Sequence, residues 1–207
     1  MREVLKLFMA FISVGTGLGC VSPFYGTARI QEGFHAEAGV SAMTYIGAPV
    51  EYNEPSMAVL GNDALNYGFN PKLQIGTRLG LGYGQSGRLV LSSDEEQVNP
   101  WEYYPDVAVN IQTALDSKTV TPGLRIEGSV SQGLSAAMLL GLGNREWLTL
   151  GLRGNLHLSG IYSGFDCFFI VRPIPDLSLF AGINPLKSIP TEEFWPVATL
   201  GVGYKIK

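Results

Sequence analysis

Few groups in this chain have the type and spacing to do chemistry. His157 and Ser159 lie two residues apart. On a β-strand that spacing puts both side chains on one face, close enough for an imidazole to serve as general base to a hydroxyl nucleophile. The sequence holds one further histidine, His35, and two cysteines, Cys20 and Cys167. No Cys/His spacing of a metal site occurs, and no cofactor is implied. Arg78, Arg125, Glu127 and Arg153 are candidates for an internal charge network, with Glu37 as a further partner. Such charges line a solute path if hydrated, or hold a narrow barrel closed if paired; at about ten strands the pairing account is favoured. Asp94, Glu95 and Glu96 could attract Ca²⁺, although a run of acids in a loop is ordinarily solvated. Tyr52, Asn53 and Glu54 beside Pro55 belong to another long loop of the kind that carries recognition.

The elements that must position these groups read as β-strands. From Trp147 to Ser159, Leu148, Leu150, Leu152, Leu156 and Leu158 fall on one face, and Trp147, Thr149, Gly151, Arg153, Asn155, His157 and Ser159 on the other. A helix would spread those leucines around its circumference, so period two decides for a strand. The same alternation recurs over 34–42, 73–84, 107–115 and 124–131, with further strands at about 56–68, 134–143, 162–172, 176–184 and 194–206. Turns are expected at Phe69-Asn70-Pro71, Thr121-Pro122-Gly123, Gln132-Gly133, Gly143-Asn144 and Pro173-Ile174-Pro175-Asp176. Residues 86–93 fit neither reading clearly. The expected fold is an all-β, antiparallel up-and-down barrel of about ten strands, within a range of eight to twelve.

Which face points outward decides what kind of barrel this is, because a water-soluble barrel that holds its apolar face inward shows the same alternation. Charged residues make up only 15% of the 207 residues, below the ~25% of soluble domains. Yet the body of the chain has no apolar run long enough for a membrane helix. The polar rows are rich in Gly, Ser and Thr, which suits a crowded lumen better than a solvated surface. Aromatics gather near expected strand ends, at Tyr45, Tyr83, Trp101, Tyr103, Tyr104, Trp147, Tyr162, Phe194 and Trp195, as at a membrane boundary. The expectation is therefore a membrane barrel with the leucine row facing lipid. The net charge of −4 without a basic stripe argues against nucleic acid as a partner.

The two ends carry resemblances. Residues 1–19 read as a signal peptide, with Arg2 and Lys6 followed by the apolar Leu7–Val14 and by Gly17-Leu18-Gly19 before Cys20. This resembles the lipobox of bacterial lipoproteins, which implies cleavage before Cys20 and lipidation of that cysteine. Ordinary cleavage near Gly19, or a Cys20–Cys167 disulfide, are the alternatives. Residues 20–28 then form a short tether and 29–207 the barrel. At the other end, Thr199, Gly201, Tyr204 and Ile206 resemble the closing-strand signal of bacterial outer-membrane proteins, although Lys207 stands where an aromatic is usual. The resemblance implies an outer-membrane location with membrane lipid as partner. His157-Leu158-Ser159 resembles the His-x-Ser of outer-membrane lipid A deacylases, but Gly160-Ile161 replaces the family's Asn-Ala and no orienting carboxylate is in place. The leading expectation is a non-enzymatic outer-membrane barrel with a structural or binding role. A soluble lipid-tethered binding barrel, a narrow channel and a lipid-modifying hydrolase are the alternatives.

Overall fold

The computed structural model describes residues 25–45, 57–85, 101–115, 117–130, 133–156, 162–188 and 194–206. Ten strands follow one another: β1 (Gly33–Tyr45), β2 (Met57–Asn70), β3 (Leu73–Gln85), β4 (Trp101–Ala114), β5 (Val120–Ser129), β6 (Gly133–Leu142), β7 (Leu148–Leu156), β8 (Tyr162–Ile174), β9 (Leu177–Ser188) and β10 (Phe194–Ile206). Each pairs antiparallel with its neighbour in sequence, and β1 pairs with β10, from Ala36↔Ile206 to Tyr45↔Val197, to close the barrel. Closure removes both sheet edges, so every strand can satisfy its backbone without solvent. This is the up-and-down barrel expected from the alternation.

The connections sort the two ends. Residues 71–72, 115–119, 143–147 and 175–176 join strands at one end, here called the turn end, which also receives the start of β1 and the finish of β10. Residues 46–56, 86–100, 130–132, 157–161 and 189–193 join them at the other, the loop end. Gly143 takes φ +85° in the β6–β7 turn, a backbone region that costs other residues about 1–2 kcal/mol. One expected turn is corrected. Thr121-Pro122-Gly123 lies inside β5, and the chain reverses earlier, over 115–119. The Pro122 carbonyl accepts a hydrogen bond from the Leu115 amide, so the proline nitrogen points to the side where β4 has ended. The missing N–H therefore takes no bond from the β6 ladder.

The alternating rows face as a membrane barrel requires. Leu150, Leu152 and Leu156 are exposed on the outside, while Thr149 and Arg153 are buried inside. The pattern repeats around the wall: Leu79, Leu81, Val107, Val109, Ile126, Met138, Phe169, Ile183, Leu200 and Val202 point outward and are exposed. Gln74, Asn110, Gln112, Asp166, Asn184 and Thr199 point inward. Exterior aromatics cluster at two levels. Phe34, Tyr67 and Phe69 pack together toward the turn end, and Tyr83 packs on Trp101 and Tyr103 toward the loop end. Tyr67 is level with Ile75 on β3, eight residues from Tyr83. At about 3.3 Å per residue that is about 26 Å along the strand, or about 20 Å along the axis at the ~40° tilt of membrane barrels, close to their ~25 Å apolar band. Asp63, exposed on β2 between Gly61 and Leu65, interrupts the outer row.

Candidate functional site

The inward rows bring three of the four sequence-predicted charges together. Arg78 on β3 donates to Glu127 Oε1 on β5 from Nη2 at 2.7 Å and from Nε at 3.2 Å. The same Nη2 lies 2.8 Å from Asp106 Oδ2 on β4. Arg125, two residues from Glu127 on the same face of β5, meets its Oε2 at 2.6 Å. Asn62 Oδ1 accepts a further bond from Arg78 at 3.3 Å, and Ser129 donates to Asp106 Oδ1 at 2.5 Å. The fourth, Arg153 on β7, is within electrostatic reach of Glu127 but pairs with another carboxylate. Its Nε lies 2.6 Å from Asp166 Oδ2 on β8, where Asn155 also donates at 2.9 Å. Glu37 faces the same lumen from β1, within electrostatic reach of Arg172, Arg125 and Lys205. All the paired charges are nearly sealed from solvent. In such a setting an ion pair holds only with good geometry and further hydrogen bonds, as here.

A third cluster, which sequence reasoning did not single out, sits at the turn end. Glu146 adopts a positive φ of 50° in the β6–β7 turn, and its carboxylate accepts from the Thr149 hydroxyl at 2.7 Å. Arg172 on β8 donates to Thr149 Oγ1 at 2.8 Å and to the Glu146 carbonyl at 3.2 Å. Both charged side chains also bond to the segment before β1. The amides of Ala28 and Arg29 donate to the Glu146 carboxylate at 2.5 and 2.8 Å. Arg172 donates to the carbonyls of Tyr25 at 3.2 Å and Gly26 at 2.5 Å.

Residues 25–28, read from the sequence as part of a tether, thus lie inside the barrel. Tyr25 is 6% exposed, Ala28 0% and Ile30 4%. Tyr25, Ala28, Ala137, Leu139, Phe168, Ile170 and Phe180 form one apolar cluster within the lumen. The wall is hollowed for the tyrosine: a Cβ added at Gly39, Gly201 or Gly203 would come closer than 3.0 Å to its side-chain atoms. A second apolar cluster, Met43, Ala58, Leu60 and Val197, lies on the inner wall toward the loop end.

The remaining sequence candidates fall elsewhere. Cys167 is a free, exposed thiol on the outer face of β8. Cys20, residues 52–54, residues 94–96, His157 and Ser159 lie outside the described residues. Among the described residues no three His, Cys, Asp or Glu side chains gather as for a metal ion.

No known family matches the chain, and no curated protein sequence does. Among solved structures, an outer membrane channel from Pseudomonas putida F1 aligns over 90% of this chain and 100% of its own, at 11% identity and a TM-score of 0.47. Neisserial surface protein A aligns over 85% and 97%, at 14% identity and a TM-score of 0.36. An S-type phycobiliprotein lyase from Guillardia theta aligns over 86% and 89%, at 14% identity and a TM-score of 0.43. Likeness at this level assigns neither activity nor partner.

Proposed function

We propose that the chain is an integral outer-membrane barrel with a structural or binding role and no catalytic centre of its own, attached in addition by a lipid on Cys20. One observation carries the membrane reading. The large apolar side chains of the strands stand exposed on the outside, between two levels of clustered aromatics, while the charges are paired inside. A soluble barrel reverses this arrangement, because exposed apolar rows on ten strands would drive association in water. By analogy with other membrane barrels, which have short periplasmic turns and longer outer loops, the turn end faces the periplasm. That places the short turns and the start of β1 on the periplasmic side.

Membrane fractionation tests this reading. The expected protein resists extraction by alkaline carbonate and by urea, and keeps a compact, heat-modifiable form in detergent, also when Cys20 is replaced. Release of the Cys20→Ala protein into the soluble fraction by carbonate would show that the lipid alone holds it, and would favour the tethered soluble barrel.

A further inference from the structure

We propose that the turn end of the lumen is a peptide-binding site, and that the chain's own segment Tyr25–Ile30 is its resident ligand, held in cis as a plug. The contacts are those of peptide recognition. The wall reads the backbone of five consecutive residues. Arg172 takes the carbonyls of Tyr25 and Gly26, and Gln112 on β4 takes those of Thr27 at 2.8 Å and Ala28 at 3.1 Å. The Glu146 carboxylate takes the amides of Ala28 and Arg29. Gln112, Glu146 and Arg172 are themselves 1%, 2% and 8% exposed, so a segment leaving the site would take both of these bonds from Gln112 and leave Glu146 and Arg172 with Thr149 and each other, unless water or another peptide replaced it.

Two side chains add specificity. Tyr25 fills the hollow at Gly39, Gly201 and Gly203, donates from its hydroxyl to the Val40 carbonyl at 2.9 Å and meets Phe180 edge-on at 6.2 Å. Arg29 donates to the carbonyls of Asn144 at 2.5 Å, Ser117 at 2.8 Å and Lys118 at 3.1 Å, in the turns at the rim. Between them Gly26, Thr27 and Ala28 are small enough to thread the narrow lumen. The ligand class is therefore an extended peptide with an aromatic residue, three small residues and an arginine.

The site draws on β1, β4, β8, β9, β10 and the β6–β7 turn. It is complete only once the barrel has closed, so the plug docks after the walls that hold it. This holds whatever medium surrounds the barrel, and the inference stands apart from the membrane reading.

The test uses the full chain folded in detergent, with trypsin scission of the Arg29–Ile30 bond followed by mass spectrometry. The intact plug shields that bond. Tyr25→Ala and Gly203→Val, which empty or fill the hollow, are expected to speed scission at least tenfold, whereas Tyr25→Phe keeps the ring and stays protected. A fluorescent synthetic peptide of residues 24–31 should bind the Tyr25→Ala chain at least tenfold tighter than the same peptide with Ala in place of Tyr. If Tyr25→Ala fails to fold, Gly203→Val and Tyr25→Phe carry the scission test. Rapid scission in the folded wild-type chain, equal rates in all folded variants, or equal binding of the two peptides would overturn the proposal.

Discussion

Leu152→Arg separates a lipid-facing wall from a water-facing one by the sign of its effect. Leu152 is the fifth of the nine residues of β7, 43% exposed on the outer face, and its register partners are the exposed Met138 on β6 and Cys167 on β8. No carboxylate stands beside it on either flanking strand at that level, so an introduced guanidinium has no local partner. At the bilayer midplane such a change costs about 2–4 kcal/mol. Taking about 3 kcal/mol, the folding equilibrium falls on the order of a hundredfold, since each ~1.4 kcal/mol is tenfold. The assay is reversible urea unfolding of protein inserted in liposomes, followed by tryptophan fluorescence. Asn155→Ser, three residues along and facing the lumen, is the control. It removes one of the two donors to Asp166 Oδ2 and leaves Arg153 in place, for a loss of about 1 kcal/mol. If Leu152→Arg costs no more than the control, or makes the protein soluble without detergent, the outer face is not in lipid.

The reverse change should stabilise. Asp63 lies four residues from Tyr67 and four from Val59, the partner of Tyr83, midway between the two aromatic levels. Asp63→Leu should therefore gain about 1–2 kcal/mol in liposomes, and a loss in the same unfolding assay would show that the carboxylate has a partner there. Glu127→Gln removes the acid shared by Arg78 and Arg125 while Asp106 still holds Arg78. Breaking a buried pair costs about 3–5 kcal/mol, so with that residual partner a loss of about 2–4 kcal/mol is expected; a change under ~0.5 kcal/mol would mean that the pairs are freely hydrated. Cys20→Ala should abolish metabolic labelling with a fatty acid and leave the precursor uncut, whereas unchanged processing would assign the cleavage to an ordinary signal peptidase.

Local pattern explains what the sequence made legible. A strand with one face in lipid and one in a lumen writes its alternation into consecutive residues, so the row through Leu150 and Leu152 could be read without a partner strand. The strand count followed because turn residues separate the rows. Long-range pairing was not legible in the same way. Arg78, Arg125 and Glu127 stand out as charges on polar rows, but Asp106 sits behind Tyr103, Tyr104 and Pro105 and reads as part of a loop. That stretch is strand because β4 runs on past β5, whose ladder begins at Ala108↔Ser129. Pro105 therefore lies on the side of β4 that has no neighbour, where a missing N–H takes no ladder bond. Asp166 and Glu146 were missed for a related reason. One lies inside an aromatic run and the other in a turn, so neither stands on a recognisable polar row, and it is the β7–β8 pairing that brings each to its arginine. The plug was hidden by composition: Ser22, Pro23 and Gly26 resemble a linker, and nothing within ten residues of Tyr25 signals the arginine, glutamine and glutamate that grip it. The glycines at 39, 201 and 203 were visible, but as the usual small residues of a lumen.

The placement of the charges bears on the choice between a channel and a closed barrel. Arg78 braces β3 to β4 and β5, Arg153 braces β7 to β8, and Arg172 braces β8 to the β6–β7 turn and to the plug. Each spans strands across the curve of the wall, and each is bonded to a neighbour before any solute could reach it. A conducting lumen needs charges that release water and ions as readily as they bind them. Here Arg78, Arg125 and Arg153 hold buried carboxylates at 2.6–2.8 Å, and desolvation makes such bonds costly to break. With most of its large apolar side chains turned outward, the barrel keeps two apolar clusters inside, one around Tyr25 and Phe168 and one around Met43 and Leu60. The lumen network adds to them, fixing strand positions by hydrogen bonds and charge, with the segment from Tyr25 to Arg29 bonded into the turn end. Pairing of this kind supports the account in which the charges hold a narrow barrel closed, and single-channel conductance of the folded protein in planar bilayers is the measurement that separates it from a solute path.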